Sequence, residues 1–583
     1  MAETPDPAAQ AMQSMMQASQ AWSQAFAQYL ATQQAALQQK AGARLPAAAN
    51  AVVPPQALKK LQQEFAARHA QLWQAQINRK PDQPAPAVAL PEPGDRRFIA
   101  PEWAESPIYD YLRQSYLINA EFLGNMVEAM EVADAKEKSR LRFITRQYVD
   151  ALAPSNFAAT NPEFVKTALA TKGESITAGI KNLIADVEKG SISMTDDKAF
   201  EVGRNLAVTP GAVVFENELI QLIQYSPATD KVADRPLVMV PPCINKFYIL
   251  DLQPENSFVR YAVEQGNTVF MVSWRNPKAE LGHLTWDDYL EKGALTALKV
   301  ARAICKVKQV NALGFCVGGT ILSSALAVAK ARGDDPVASL TLLTTLLDFS
   351  EPGELGCFID EPSVQQREQT IGKGGLLKGS ELASVFSMLR ANDLIWQYVV
   401  GNYLKGGKPS AFDLLYWNSD STNLPGPFAA WYLRHLYLEN SLRVPGKLAM
   451  CGARADLGRV DMPAFLYASR EDHIVPWKAS YQSRRLLGGK NTFVMGASGH
   501  IAGVINPAAK NKRSYWDSQS TSGNPEEWLA GAAEHPGSWW PLWAKWLSGF
   551  AGKQRVARAR LGSADYPTSE PAPGRYVKEK ASE

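Results

Sequence analysis

Residues 314–318, with the sequence G-F-C-V-G, constrain the fold of this chain more than any other segment. The apolar residues 307–313 before them predict a short buried strand, and residues 320–330 after them predict a helix that ends near Gly333. A tight turn between a strand and a helix exposes its central side chain at the edge of a sheet. The flanking glycines leave room for the two backbones to approach. The segment therefore predicts that Cys316 is a nucleophile, suited to acyl transfer through a thioester.

Two other interpretations of this segment stay open at this point. Gly314, Gly318 and Gly319 lie near a strand, as in a dinucleotide-binding loop, but their spacing does not match G-x-G-x-x-G. A cysteine is also a common small residue of protein cores. Residues further along the chain favour the nucleophile, because they supply the partners that it needs.

A cysteine nucleophile requires a base, and the base requires an acid that orients it. In enzymes of the α/β-hydrolase fold the acid and then the histidine follow the nucleophile along the chain. Asp472 comes just after the predicted strand 464–468, and His500 comes just after the predicted strand 491–495. Because parallel sheets place their sites at the carboxyl ends of strands, we predict Asp472 as the acid and His500 as the base.

Other residues compete for these two roles. His473 adjoins Asp472, but the two side chains point in different directions if Asp472 faces the site. Asp348 follows an earlier predicted strand and is the alternative acid in a variant topology. His435 is expected to belong to a cap over the site.

The tetrahedral intermediate of acyl transfer needs backbone N–H groups that bind its oxyanion. Val317, the residue after the nucleophile, is expected to supply one of them. The second is expected from the loop after the predicted strand 237–240, which begins P-P-C-I-N-K-F. Since prolines have no N–H, Cys243 or Ile244 is the predicted donor.

The order of elements predicts the fold class. Residues 107–188 have helical periodicity, whereas from about residue 200 apolar runs alternate with helices, as in a parallel sheet covered on both faces. Residues 350–450 mix helix and loop character at the place where α/β-hydrolases carry a cap. We predict an α/β protein of the α/β-hydrolase fold with a cap insertion over the active site, preceded by a mainly helical region. The expected divisions are an arm and linker at 1–94, a helical domain at 95–199, and a catalytic domain at 200–583 with its cap at about 350–450.

The first 94 residues differ from the rest of the chain. Residues 8–40 are rich in Ala and Gln, and their large apolar residues recur mostly at spacings of three, four or seven, which predicts an amphipathic helix. Residues 79–95 contain five prolines and predict a linker. The segment is expected to be a separate arm, whose helix packs on this protein or binds a partner or surface.

Composition excludes several classes of protein. A net charge of +3 without a long basic cluster argues against nucleic-acid binding. The five cysteines are scattered, with neither a C-x-x-C pair nor a metal-ligand spacing, which predicts free thiols in a reducing cytoplasm and no metal site. The sequence has no run of about 18 apolar residues, so no transmembrane span is expected. The N-terminus lacks the basic and apolar regions of a signal peptide.

A set of longer motifs accompanies these positions. They are D-R-R-F (95–98), A-P-E-W (100–103), P-P-C-I-N-K-F-Y-I-L-D-L (241–252), G-F-C-V-G-G (314–319), Y-W-N-S-D (416–420), E-D-H-I-V-P-W (471–477), G-H (499–500) and E-P-A-P-G-R-Y-V (570–577). In these motifs the chain resembles the polyhydroxyalkanoate synthases, most closely the single-chain class I poly(3-hydroxybutyrate) synthases. The resemblance covers about residues 95–577 and shows no departure at the three predicted catalytic positions. The residues before 95 match the family only loosely.

The resemblance implies a reaction and a set of partners. The protein would polymerise (R)-3-hydroxyacyl-CoA, in particular (R)-3-hydroxybutyryl-CoA, into a growing polyester and release CoA, with no cofactor. A homodimer is implied, located in the cytoplasm at polyester granules, with the arm contacting the granule surface or its coat proteins. The resemblance leaves open whether His500 or Asp472 activates the attacking hydroxyl. It also leaves open whether Trp417 and its neighbours contact substrate or only pack the cap.

Two other functions remain as alternatives. A cysteine thioesterase or hydrolase of the dienelactone-hydrolase type shares the fold and the catalytic residue types, and it would release free 3-hydroxy acid. A catalytically silent granule-associated protein would need only the arm. The length of the chain and the breadth of the motifs argue against the first, and the intact set of Cys316, Asp472 and His500 argues against the second.

Overall fold

The computed structural model describes residues 52–80, 83, 85–132, 134–520 and 523–581. The amphipathic helix predicted at 8–40 lies outside the described residues. The chain forms two compact units. One consists of Met1–Asp196, described from residue 52 onward, together with Val385–Ser410, and the other consists of Asp197–Ser384 and Ala411–Glu583.

The first unit is built from helices, and side-chain caps set where two of them begin. The carboxylate of Asp134 accepts a hydrogen bond from the N–H of Lys136. The side chain of Asn161 accepts hydrogen bonds from the N–H groups of Glu163 and Phe164. Both residues thereby satisfy N–H groups that a helix start leaves without partners. The helices are Pro55–Ile77, Glu102–Glu105, Pro107–Ala129, Ala135–Ala151, Pro162–Ala170 and Glu174–Lys189, with π-helical turns at Asn392–Trp396 and Val399–Leu404.

Val385–Ser410 belongs to this first unit, although the sequence analysis placed it inside the predicted cap. Trp396 and Tyr403 are buried in one apolar cluster with Leu183. The hydroxyl of Tyr403 donates a 2.7 Å hydrogen bond to the carboxylate of Asp186. The segment is therefore divided from the rest of the predicted cap, because its apolar and polar contacts are made with the helical unit.

The described part of the predicted arm and linker also packs within the first unit. The side-chain oxygen of Gln114 accepts hydrogen bonds from the N–H groups of Val88 and Ala89, at 2.7 and 3.0 Å. Leu72 is buried in a cluster with Ala89 and Ile118. A proline-rich segment makes few hydrogen bonds of its own, so a buried glutamine can hold it against a helix. The described residues between 55 and 94 thus belong to the helical unit, whereas the sequence predicted a separate arm.

The second unit is organised around one large sheet. The strands are β1 (Gly211–Glu216), β2 (Ile220–Tyr225), β3 (Lys231–Ala233), β4 (Leu237–Val240), β5 (Val269–Trp274), β6 (Val310–Phe315), β7 (Val337–Leu343), β8 (Leu376–Leu377), β9 (Leu424–Pro425), β10 (Ala449–Met450), β11 (Ala453–Arg454), β12 (Ala464–Ser469), β13 (Asn491–Gly496), β14 (Ser514–Asp517), β15 (Ala533–Pro536), β16 (Gln554–Val556) and β17 (Glu570–Pro571). The sheet has the order β15-β14-β13-β12-β7-β6-β4-β5-β2-β1-β17. The strands from β13 to β5 in this order run parallel, and antiparallel strands extend both edges.

The parallel strands are the apolar runs that the sequence predicted. All residues of β6 and β12 are buried, as expected for strands that helices cover on both faces. The helix after β6 is buried from Val317 to Ala329. The remaining helices and π-helical turns are Phe258–Glu264, Trp286–Asp288, Tyr289–Leu295, Thr296–Cys305, Val317–Ala331, Glu361–Thr370, Gly379–Leu389, Asp413–Ser419, Gly426–Trp431, Tyr432–Leu438, Trp477–Ser483, His500–Val504, Pro525–Ala530 and Trp540–Ser548.

This topology brings the carboxyl ends of β4, β6, β12 and β13 to the same edge of the sheet, because the four strands run parallel. The predicted nucleophile, acid, base and oxyanion loop each follow one of these ends. In the part of the chain that the structure describes, no helix combines the length and the apolar character needed to cross a membrane.

Candidate active site

The turn after β6 holds Cys316 in a strained conformation. Its φ of 53° and ψ of −128° lie in a region that costs a residue other than glycine about 1–3 kcal/mol. The N–H of Cys316 donates a 2.9 Å hydrogen bond to the carbonyl of Leu343 at the end of β7, which helps to hold the turn. Cys316 is half-buried and forms no disulfide. The turn has the form that the sequence predicted for a nucleophile.

The glycines around Cys316 allow close approaches that a Cβ atom would prevent. A Cβ on Gly314 would lie 2.4 Å from the Cα of Gly319, and a Cβ on Gly318 would lie 2.3 Å from the carbonyl oxygen of Val240. A Cβ on Gly319 would lie 2.1 Å from the hydroxyl of Thr345. Strand β6, its following helix and the end of β4 therefore converge at Cys316.

Asp472 and His500 form the second part of the site. The Nδ1 atom of His500 lies 2.6 Å from Oδ2 of Asp472, and both side chains are buried. The other carboxylate oxygen, Oδ1, accepts hydrogen bonds from the N–H groups of Ile474 and Val475, each at 2.9 Å. Both oxygens of Asp472 are engaged, so the carboxylate is fixed in the position that orients the imidazole.

The protonation of His500 depends on its burial and on its two neighbours. Burial lowers the pKa of His500, but the charges of Asp472 and Cys316 and hydrogen bonds with both outweigh it and raise the pKa to about 10. The ring of Phe315 stacks on the imidazole with centroids 5.7 Å apart. The structure thus brings together the three residues that the sequence selected as nucleophile, acid and base.

The predicted oxyanion donors lie on the two segments that meet at Cys316. Val317 is the first residue of its helix, where N–H groups have no partner within the helix. Cys243 and Ile244 lie on the loop after β4. Cys243 is buried, and burial raises the pKa of its thiol, so its side chain packs rather than reacts. The carbonyl of Ile244 accepts a 2.9 Å hydrogen bond from the N–H of Thr422.

Two tyrosines that the sequence analysis did not select lie close to the thiol. Burial raises the pKa of Tyr432 and Tyr437, and the nearby Cys316 raises both further. Trp286 stacks on Tyr432 at 5.6 Å, and Phe349 packs edge-on against Tyr437 at 4.9 Å between ring centroids. We call these four side chains the aromatic wall. The concentration of aromatic residues between 428 and 437 is the sequence feature from which it could have been predicted.

The competing residues have other partners. Asp348 accepts a 2.8 Å hydrogen bond from the side chain of Asn440. His435 lies 3.0 Å from the carboxylate of Glu439. The acid after β12 pairs with the histidine after β13.

The Y-W-N-S-D motif packs against residues 241–247, the loop after β4 that holds predicted oxyanion donors and is called the oxyanion loop below. Trp417 is buried, and its Nε1–H donates a 2.7 Å hydrogen bond to the carbonyl of Lys246. The hydroxyl of Tyr248 donates a 3.0 Å hydrogen bond to the buried carboxylate of Asp420. These contacts give Trp417 and Asp420 a structural role beside the site.

Known proteins similar to the chain point to one family. The family model described as the N-terminus of poly-beta-hydroxybutyrate polymerase (PhaC) matches residues 94–262, and that of the alpha/beta hydrolase fold matches residues 236–507. The poly(3-hydroxyalkanoate) polymerase subunit PhaC of Cupriavidus necator is 56% identical over 542 residues, which cover 92% of this chain and 91% of that protein. The poly(3-hydroxyalkanoate) polymerase of Methylorubrum extorquens is 42% identical over 531 residues, which cover 90% and 87% of the two chains. The subunit from Rhizobium meliloti is 40% identical over 514 residues, which cover 88% and 84%.

Among solved structures, the chain is similar to a monoacylglycerol lipase of Paleococcus ferrophilus, with a TM-score of 0.34 and 13% sequence identity. The match covers 57% of this chain and 99% of the lipase. The hydrolase family model spans the strands from β4 to β13 and the helix that begins at His500. The predicted fold class, an α/β-hydrolase fold after a mainly helical region, is confirmed.

Proposed function

Because the chain belongs to the family of poly(3-hydroxyalkanoate) polymerases, we propose that it makes its polyester from (R)-3-hydroxybutyryl-CoA or a close (R)-3-hydroxyacyl homologue, through a thioester on Cys316. The enzyme class, an acyltransferase that makes polyester, follows from the family itself. The observation that carries the covalent mechanism is the placement of Cys316 at a strained turn beside the buried pair of His500 and Asp472.

Acylation begins with the thiol of Cys316. His500 takes the thiol proton and holds it as an imidazolium, and Sγ then attacks the carbonyl carbon of the acyl-CoA thioester. The bond from that carbon to the CoA sulfur then breaks, and the proton leaves with CoA as its thiol. One thioester replaces another, so the acyl group on the enzyme stays activated for the next transfer. The raised pKa of His500 supports its role as the base, because it favours the imidazolium that forms.

The tetrahedral intermediate carries an oxyanion that backbone N–H groups stabilise. We assign these groups to Val317 and to Cys243 or Ile244. Donors of this kind contribute about 3–4 kcal/mol each in acyl-transfer enzymes. The positive end of the helix Val317–Ala331 lies at the same place and favours negative charge there. These side chains and N–H groups suffice for the chemistry, so we propose that no cofactor takes part.

Elongation requires the 3-hydroxyl of one hydroxyacyl unit to attack the thioester carbonyl of another. A base removes the hydroxyl proton as the ester C–O bond forms and the C–S bond breaks, and the proton passes to the departing sulfur. His500 is the base that the geometry favours over Asp472, because both carboxylate oxygens already accept hydrogen bonds. Asp472 then orients the ring and stabilises its charge.

Water must be kept from the acyl-cysteine, since hydrolysis would turn the polymerase into a thioesterase. Tyr432, Tyr437 and their aromatic neighbours supply an apolar surface near the thiol. An apolar wall of this kind lowers the access of water and strengthens the electrostatic interactions inside the site.

We infer that the enzyme works in the cytoplasm as a homodimer at the surface of polyester granules, with residues 8–40 contacting the granule or its coat proteins. The insoluble polyester and the amphipathic pattern of this segment support the inference. A fluorescent fusion without residues 1–40 should lose its granule location while keeping CoA release. Unchanged location would contradict the role of the segment.

The test of the function is CoA release from purified protein given (R)-3-hydroxybutyryl-CoA, with the products identified by mass spectrometry. Wild type should release CoA and form insoluble polyester, and Cys316→Ala should do neither. Free 3-hydroxybutyrate without polymer would make the protein a thioesterase. Polymer formation by Cys316→Ala would overturn the covalent mechanism.

A further inference from the structure

Residues 579–581, which we call the C-terminal strap, run beside the loop that carries Cys243 and Ile244. We propose that the strap positions this loop, and so acts as a positioning element of the oxyanion hole. The inference rests on the proposed function, because it concerns the hole in which that reaction places its oxyanion. None of the three residues of the strap touches the pair of His500 and Asp472 through a described hydrogen bond.

The first link joins the strap directly to the oxyanion loop. Lys246, two residues after Ile244, is 2% exposed, and its Nζ donates a 2.6 Å hydrogen bond to the carbonyl of Glu579. The carboxylate of Glu579 in turn lies 3.2 Å from the guanidinium of Arg275. Because an ammonium group is costly to bury without hydrogen bonds, the hydrogen bond to Glu579 stabilises the contact between the loop and the strap.

The second link joins the strap to the Y-W-N-S-D motif and the residues after it. The ammonium of Lys580 lies 3.0 Å from the carboxylate of Asp420, which is almost fully buried and also accepts the hydroxyl of Tyr248. The side chain of Asn423 donates a 3.2 Å hydrogen bond to the carbonyl of Ala581. The strap is therefore held at three consecutive residues.

The third link returns from this motif to the oxyanion loop. The N–H of Thr422 donates a 2.9 Å hydrogen bond to the carbonyl of Ile244, and Asn245 pairs with Ser421. Loop, motif and strap thus form a closed set of contacts, with Ile244 inside it. A displacement of the strap would move the peptide groups of the loop. The strap binds Lys246 of the loop directly, and it binds Asp420 and Asn423, which flank the two residues that pair with the loop.

The contacts among loop, motif and strap matter because an oxyanion donor must be held at a fixed distance from the oxyanion. A donor N–H must lie about 2.7–3.1 Å from the developing oxyanion, and removing one donor lowers kcat by about 10²- to 10³-fold in a related chemistry. Loosening the loop should therefore slow acylation, whereas the reaction of Cys316 with an alkylating reagent should be unaffected, since alkylation forms no oxyanion. A strap that merely stabilised the fold would change both reactions together.

The experiment compares the full chain with one that lacks residues 579–583, and Lys580→Ala with Lys580→Arg. The controls are a chain lacking only residues 582–583 and Lys578→Ala, a lysine two positions earlier whose side chain is exposed. For each protein we would measure kcat and KM for CoA release from (R)-3-hydroxybutyryl-CoA, the rate of Cys316 alkylation by iodoacetamide, and the midpoint of thermal unfolding.

Removing residues 579–583 should lower kcat by about 10- to 100-fold while leaving alkylation within about twofold of wild type. Lys580→Ala should lower kcat by about three- to tenfold, Lys580→Arg should restore most of it, and both controls should match wild type. Lys580→Ala also decides the question if the truncated chain does not fold. Unchanged kcat in Lys580→Ala, or alkylation that falls in parallel with kcat, would overturn the role of the strap. A wild type that released no CoA would overturn the proposed function and the strap's role with it.

Discussion

Replacing Asp472 by asparagine should leave the shape of the site intact and remove most of its activity. Oδ1 of Asp472 accepts two N–H groups, from Ile474 and Val475, so the amide oxygen of the asparagine must take that position. Its NH2 group then faces Nδ1 of His500, which lies 2.6 Å from the carboxylate in the wild type. Nδ1 must become an acceptor, and the ring proton moves to Nε2. That nitrogen can then no longer take the proton of Cys316.

The size of the effect follows from this change of tautomer. In a serine protease triad the same substitution lowers kcat by about 10⁴-fold. A thiol ionises more easily than a hydroxyl, so we expect a smaller loss of about 10²- to 10³-fold here. The pKa of His500 should also fall below its wild-type value of about 10, because Asp472 is one of the groups that raise it. Asp472→Ala is less informative, because it also removes the acceptor of two N–H groups, and leaving the buried one of Val475 without a partner costs about 1–3 kcal/mol.

The assay is the initial rate of CoA release from (R)-3-hydroxybutyryl-CoA, followed with a thiol-reactive chromophore. Asp348→Asn is the matched control, because Asp348 is the alternative acid and hydrogen-bonds to Asn440 outside the proposed triad. It should retain kcat within about threefold, since it touches neither the base nor the nucleophile. If Asp472→Asn kept kcat within the same range, or if Asp348→Asn lost as much, the assignment of the acid would be refuted.

Three other properties test the surroundings of the site. At about pH 7.5, iodoacetamide should alkylate Cys316 far faster than Cys451. Burial and nearby carboxylates raise the pKa of Cys451 to about 12, so its thiol is a poor nucleophile. Equal alkylation rates would contradict the activation of the Cys316 thiol. Gly318→Ala should lower both the thermal midpoint and kcat, because its Cβ would lie 2.3 Å from a carbonyl oxygen of β4. Gly124→Ala is the control and should lower neither, because the space around its Cβ is open. The thermal midpoint should fall as the pH rises from about 8.5 to about 10, because folded His500 keeps a proton, whereas in the unfolded chain both the histidine and the cysteine have lost theirs. His500→Gln should flatten this decline, and an unaltered profile would argue against the raised pKa of His500.

The sequence could bring the three proposed catalytic residues together, because each lies where the chain leaves a strand of the parallel sheet. The apolar run of β6 and the glycines after it indicated the nucleophile. Asp472 and His500 follow β12 and β13, whose last residues, Ser469 and Gly496, are paired in register. In a parallel sheet, local patterns such as these also determine which residues meet in space.

Contacts between segments that are distant in the sequence could not be predicted, because no local sequence pattern indicates them. Val385–Ser410 belongs to the helical unit through the burial of Trp396 and Tyr403, and apolar residues in a mixed segment do not show which surface will cover them. Tyr432 and Tyr437 have the composition of ordinary packing residues. The C-terminal strap acts largely through main-chain carbonyl groups, which every residue possesses, so its sequence could not reveal the role that we propose.

The central claim is that Cys316 carries the acyl group. It is tested most directly by quenching the enzyme during reaction with butyryl-CoA and locating the adduct by peptide mass spectrometry. Butyryl-CoA has no 3-hydroxyl, so it can acylate the enzyme but cannot elongate a chain. We expect a butyryl thioester on the peptide that contains Cys316, and no adduct on Cys316→Ala. An adduct on another residue, or turnover of (R)-3-hydroxybutyryl-CoA by Cys316→Ala, would contradict the account.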